Sequence, residues 1–203
     1  MLNHANRHKI DLAYIKNMPL HSFDLNTYHF LIEKGLLGED ERKELIEGRI
    51  IEMSPIGTKH ASVVKKLLRL LIPKLQNMAV VSAQDPISLT NTSEPEPDIV
   101  IAKYREDFYS TNHPTPEDIL LIIEVADTSL DYDREVKIPL YAKSMIPEVW
   151  LINLIDNNIE IYKEPLGEKY HIMTRYYPEA VINPLLFPDL KISLAEILGI
   201  VKP

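Results

Sequence analysis

EPEPDIVIA, Glu94 to Ala102, and ILLIIEVA, Ile119 to Ala126, are the two runs on which the reading of this chain turns. Each is a short apolar segment bounded by Pro or polar residues, the pattern of a buried strand. The first carries Asp98 at its mouth and the second carries Glu124 near its end. An ionised carboxylate inside an apolar run loses several kcal/mol of hydration on burial, so Glu124 is expected to be paired, protonated or bound to a metal. Asp127-Thr128-Ser129 and Asp131-Tyr132-Asp133 then lead into a helical pattern with Arg134, Lys137, Tyr141 and Lys143. Pro139 inside that pattern removes a backbone bond unless it lies in the first turn, so the helix is expected to start late, with Lys137 near its N-terminus.

Working outward, Ser22-Phe23-Asp24 opens a short helix with Leu25, Tyr28, Leu31 and Ile32 at helical spacing, closed near Gly35 and Gly38. Leu45 to Met53 reads as a hairpin turning at Glu47-Gly48. From about His60, the spacing of Val63, Val64, Leu67, Leu68, Leu71 and Leu75 predicts a long amphipathic helix whose other face carries Lys65, Lys66, Arg69 and Lys74. Such a basic run is most often a solvated face. Ala79 to Ser82 and Pro86 to Leu89 are expected to be short strands. Val149 to Leu154 and Ile159 to Lys163 form a second hairpin around Asp156-Asn157-Asn158, whose alternation predicts one wet face. Glu168 to Thr174 adds a strand, and Asp189 to Ser193 an edge segment before a short capped helix ending at Gly199. Residues 1–22 read as a tail or edge element. The remainder, 23–203, reads as one α/β or α+β domain.

The 203 residues, with 45% hydrophobic and 26% charged content, suffice for one core. No cysteine is present, so disulfides, thiolate metal sites and a Cys nucleophile are excluded. No segment resembles a secretory leader or a membrane span, and a cytoplasmic location is expected. A net charge of −8 argues against general affinity for nucleic acid, though it leaves room for a local basic groove. No Gly-x-Ser-x-Gly elbow supports a serine hydrolase, and six glycines with no Gly-rich loop do not support a dinucleotide site.

Asp98 and Glu124 on successive strands, with Lys137 on the next helix, give two hard oxygen ligands and one ammonium group. Mg²⁺ or Mn²⁺ suits such a pair, with water and a substrate phosphate completing its shell. Lys137 would position the attacking water or stabilise the charge that develops. Of the secondary candidates, His60 fits a helix-start cap as well as a phosphate contact. Glu44 or Glu47 would add a carboxylate if not solvated. Tyr141 fits a brace for Lys137 or a core residue, and Trp150 fits the core.

Pro97-Asp98, Glu124-Val125-Ala126, Asp133-Arg134 with Lys137 and Tyr141, and Ile146-Pro147-Glu148 with Trp150 resemble the PD-(D/E)XK nuclease superfamily. More closely they resemble its Uma-two type of restriction-endonuclease-like proteins. The likeness runs from about Leu45 to Ile161 and includes Met53-Ser54-Pro55, His60 and Ser93-Glu94-Pro95. It implies a central mixed sheet flanked by helices and metal-dependent cleavage of DNA. Asp98 and Glu124 match the metal-binding acids, and the Val125 carbonyl is implied as a further ligand. Ala126 stands where the superfamily carries its Lys, and Lys137 takes that place from the following helix. Met145 and Val149 stand where Gly and Tyr are expected. A homodimer is expected, since cutting both DNA strands needs two sites or two successive events. Two alternatives stay open: a silent scaffold or binding protein on the same fold, and a metal-dependent hydrolase of small phosphoesters.

Overall fold

The computed structural model describes residues 21–38 and 42–200. The expected tail therefore lies outside the described residues except for its last two. Helix α1 (Leu25–Glu33) is capped by Asp24, whose Oδ1 accepts from the Thr27 N–H, and the chain leaves it through Gly35 at φ +64°. Strands β1 (Lys43–Ile46) and β2 (Arg49–Glu52) form the expected hairpin. Glu47 and Gly48, at φ +46° and +75°, make the doubly left-handed turn that matches strand twist. Any side chain at Gly48 would collide with Ser22, since a Cβ would lie 2.0 Å from its hydroxyl.

Helix α2 (Thr58–Leu75) follows, then β3 (Ala79–Ser82), β4 (Ile99–Lys103) and β5 (Ile119–Ala126). After one helical turn, α3 (Leu130–Tyr132), comes a π-helical segment, Asp133–Lys137, and then α4 (Ile138–Lys143). Pro139 therefore stands in the first turn of α4, where its missing N–H costs little, although the backbone is already helical from Leu130. Strands β6 (Glu148–Asn153), β7 (Asn158–Leu166), β8 (Lys169–Tyr176), β9 (Val181–Ile182) and β10 (Ile192–Ser193), with α5 (Leu194–Leu198), complete the chain.

Six strands form one mixed sheet in the order β3-β4-β5-β6-β7-β8, with β5 and β6 parallel and every other pair antiparallel. The only parallel step is the one that the π segment and α4 cross over, as a parallel pair requires. Alternation along the strands divides the core. Ile99, Ile101, Leu121, Ile123, Val125, Trp150 and Ile152 face α2 and α5. Val100, Ile122, Ala126, Val149 and Leu151 face α4 and the β1/β2 hairpin. Glu124 shares the parity of Ile122 and Ala126, so it points toward α4.

Two expectations fail. Pro86 to Leu89 is not a strand, although Ile87 N donates to the Pro95 carbonyl and Leu89 N to the Ser93 carbonyl. Pro95 and Pro97 have no N–H to return, so a ladder cannot propagate. The β6/β7 hairpin has no wet face over its inner half: Glu148 to Asn153 and Asn158 to Tyr162 are buried. Its acids survive burial because they are fully engaged. Glu160 meets Arg134, Arg175 and the Tyr162 hydroxyl, and Glu148 meets the Trp150 indole, Lys163 and the Leu185 N–H. Strand β9 was not expected at all.

Candidate active site

Three elements deliver the acids and the cation to one end of the sheet. The β4/β5 register places Ile99 opposite Ile123, so one step further Asp98 stands opposite Glu124. The Asp98 N–H donates to Glu124 Oε2 at 3.3 Å, and Val125 N donates to Asp98 Oδ2 at 2.8 Å. His60, in the first turn of α2, brings Nε2 to 2.9 Å from the same Asp98 oxygen. Both bonds fall on Oδ2; Oδ1 takes no hydrogen bond among the described residues.

The π segment sets the direction of Lys137. Asp133 and Lys137, four apart, share one inward face of this segment, and both are buried. Arg134 is turned the other way, onto Glu160. Lys137 Nζ lies 3.2 Å from Glu124 Oε1, 3.3 Å from Glu44 Oε2 and 3.5 Å from the Glu96 carbonyl. The Tyr141 hydroxyl donates to Glu124 Oε1 at 2.5 Å, so Tyr141 braces the acid, not the Lys. Glu44 is wholly buried; its Oε1 accepts from the Tyr132 hydroxyl at 2.8 Å and its Oε2 from Glu96 N at 3.1 Å.

The hairpin that carries Glu44 is stitched to the segment preceding β4. Leu45 and Glu94 exchange both backbone bonds, and Gly48 N donates to the Thr92 carbonyl. Glu47, one turn further, is exposed and pairs with Lys143, away from the acids. A cavity of about 340 Å³ opens over this group, walled by Met53 to Gly57 on one side and Asp127 to Ser129 on the other.

Burial, and after it the excess of carboxylates over cations, governs the protonation of Glu124 and Asp133. Burial pushes the Glu124 carboxyl well up; Lys137 offsets part of the rise, while Asp133 and Asp98 add to it. Asp133 is raised for the same first reason, against Lys137 and the Ser129 hydroxyl, which donates to its Oδ2 at 2.7 Å. Burial alone would lower Lys137, but Glu124, Glu44, Asp133 and Asp98 together hold it above its ordinary value. Lys137 is thus a fixed ammonium shared by two carboxylates, and burial outweighs its pull on one of them, Glu124, which stays harder to ionise.

Asp98, Glu124, Lys137, His60, Glu44 and Tyr141 all meet within this group. Tyr132, Asp133 and the Glu96 carbonyl were not anticipated as its members. The four-residue spacing of Asp133 and Lys137 was a visible signal; nothing in sequence pointed to Tyr132. Among the described residues no group of three His, Cys, Asp or Glu side chains is arranged as a ready metal cage. Two facing carboxylates, one with an oxygen that takes no hydrogen bond, are nonetheless the donor set that Mg²⁺ takes alongside water and phosphate. Buried acids in excess of cations also favour a divalent ion.

The family model Uma2, described as "Putative restriction endonuclease", matches residues 26–195. Five chains of known structure match in shape. Among them is a "putative nuclease belonging to DUF820" from Anabaena variabilis, 17% identical, with a TM-score of 0.69 over 89% of this chain and 98% of that one. At that identity the likeness establishes a shared fold. The search of curated proteins finds no match. No helix among the described residues is long and apolar enough to cross a membrane.

Proposed function

Because the chain belongs to the Uma2 family of putative restriction endonucleases, we propose that it is a Mg²⁺- or Mn²⁺-dependent endonuclease that hydrolyses DNA phosphodiesters. The observation that carries the reading is the placement of Asp98 opposite Glu124 with the Lys137 ammonium 3.2 Å from the second acid. Asp98 and Glu124 would hold the ion, with the Val125 carbonyl as a further oxygen. When bound, the ion supplies Lewis-acid polarisation of the phosphate and a more acidic water.

The chain's own residues supply orientation and charge. His60 and the Val125 N–H fix Asp98, while Tyr141 and the Asp98 N–H fix Glu124. Lys137, protonated between its acids, serves as a cation that stabilises charge on the phosphate and not as a general base. His60 Nδ1 is buried without a hydrogen-bond partner, so the Nε2 contact to Asp98 is the one that orients the ring. The basic face of α2 has Lys65, Arg69 and Lys74 exposed, so it could support the backbone of a DNA strand. Two chains acting as a homodimer would cut both strands.

Plasmid and single-stranded DNA incubated with Mn²⁺ test the reading, with Glu124→Gln and Asp98→Asn as controls. Cleavage by the native protein alone, together with calorimetric Mn²⁺ binding lost in both variants, is the expected result. Metal binding without cleavage of any DNA would leave a silent binding protein instead. Turnover restricted to a chromogenic phosphodiester would assign small phosphoesters.

A further inference from the structure

We infer that Glu44 is the positioning residue for the Lys137 ammonium, the acid that keeps this cation in the site when Glu124 gives its charge to a metal ion. The consequence for catalysis rests on the nuclease reading; the contact itself rests on geometry. Lys137 Nζ sits almost midway between two carboxylates, 3.2 Å from Glu124 Oε1 and 3.3 Å from Glu44 Oε2. They are not equivalent. Glu124 lies beside Asp98 on the central strands, where a divalent ion would draw on it. Glu44 comes from a separate hairpin across the cavity, and both its oxygens are committed. Tyr132 donates to Oε1, and Glu96 N donates to Oε2, which also faces Lys137.

A carboxylate so saturated is held in place as an acceptor and has no lone oxygen to offer a metal. It is also 0% exposed, so its charge reaches Lys137 without a screen of water. A divalent ion on Asp98 and Glu124 repels a neighbouring ammonium. Without Glu44, Lys137 would keep only the Glu96 carbonyl, at 3.5 Å, as a hydrogen-bond partner, beside the more distant charge of Asp133. The β1/β2 hairpin thereby becomes part of the active unit, although Glu44 itself touches neither phosphate nor metal.

Glu44→Gln keeps the shape and removes the charge. Its kcat on DNA should fall by roughly 10- to 100-fold, as for removal of other residues that orient a metal site's ligands. The KM for DNA and the midpoint of the Mn²⁺ titration should stay within about two-fold of native. Glu44→Asp, charged but shorter, should fall between the two. In the Lys137→Met background, Glu44→Gln should cost nothing further, because the group it positions is gone. A separate readout is the ¹H–¹⁵N ammonium spectrum of the protein loaded with diamagnetic Mg²⁺, where the ion competes for Glu124 and Glu44 is left to hold the cation. A slowly exchanging lysine signal should be present in the native chain, absent in Lys137→Met and lost in Glu44→Gln.

Losses that multiply in the double variant, weakened Mn²⁺ binding in Glu44→Gln, or an ammonium signal that survives Glu44→Gln would each overturn the inference. If the native protein cuts no DNA, the nuclease reading fails on its own, and the ammonium spectrum still decides the role of Glu44.

Discussion

Replacing Lys137 by Met removes the charge and keeps most of the volume, and the structure gives the cost. Lys137 is 3% exposed, while its partners Glu44 and Glu124 are 0% and 2% exposed. Breaking a buried pair by removing one member typically costs about 3–5 kcal/mol, because the other is left charged and dry. The chain can escape by protonating a carboxyl, whose ordinary value is 4.5. Holding one such proton at pH 8 costs about 5 kcal/mol, and at pH 5.5 about 1 kcal/mol, at 1.36 kcal/mol per pH unit. The sign follows: a folded-state carboxyl raised above 4.5 opposes folding increasingly as pH rises beyond 4.5. The destabilisation by Lys137→Met should therefore be largest in alkaline solution and shrink toward pH 5.5.

In a chain of this length, each kcal/mol corresponds to about 2–4 °C in Tm. Calorimetric melting at pH 8 without metal should show Lys137→Met about 6–20 °C below native, the 3–5 kcal/mol cost multiplied through. Millimolar Mn²⁺ should recover more of that deficit than it adds to the native protein, since it refills the missing positive charge. Melting within about 2 °C of native at both pH values would refute the buried pair. With it would go the idea that loss of activity in this variant reports on chemistry alone, because such a cost also changes how much folded protein is assayed.

Further outcomes can be checked. Met145 sits at φ +61° and is 63% exposed, so Met145→Gly should relieve a left-handed residue and stabilise by about 1 kcal/mol or less in urea unfolding, after the extra chain entropy of Gly. Glu160→Ala should destabilise by about 1–3 kcal/mol at pH 7, a range set by charged hydrogen bonds whose arginine ends are partly solvated. Its carboxyl is held low; burial alone would raise it, but the bonds from Arg134, Tyr162 and Arg175 win. Its stabilisation is thus present above about pH 4.5 and lost as pH falls through the lower folded value, so the gap between variant and native should close in acid melts. His60→Asn should weaken Mn²⁺ binding by about 10- to 100-fold in calorimetry, if Asp98 is a ligand oriented through its Oδ2. Unchanged affinity would make His60 a packing residue.

The sheet's centre was readable because β4 and β5 are continuous apolar runs that no solvated element could carry. The hairpin turn at Glu47-Gly48 was readable because few residues tolerate two successive positive φ values. The inner half of β6/β7 misled for an instructive reason. Glu160 alternating with apolar Ile159 and Ile161 has the period of a half-wet hairpin. Period carries no information about what later covers a polar side chain, nor does it show that Glu148 and Lys163 lie on the opposite face with Trp150. The partners that cover these acids, Arg134, Arg175 and the Leu185 N–H, lie 15 to 37 residues away along the chain.

The site divides in the same way. Sequence alone determined that an acid stands at each of two strand ends and that a lysine follows on a helix, because local pattern and the cost of a charge in an apolar run are properties of neighbours in the chain. It also determined that no thiol takes part. Only the tertiary structure decided which way Lys137 points, since a single extra residue in the π segment rotates the helix face and periodicity counting does not register it. Only the tertiary structure raised Glu44 above Glu47. Both are hairpin acids three residues apart, and the distance from Glu44 to Lys137 spans 93 positions of sequence but 3.3 Å of space. Electrostatic interaction depends on that second separation and on the exclusion of water from it, and neither exists until the chain has folded.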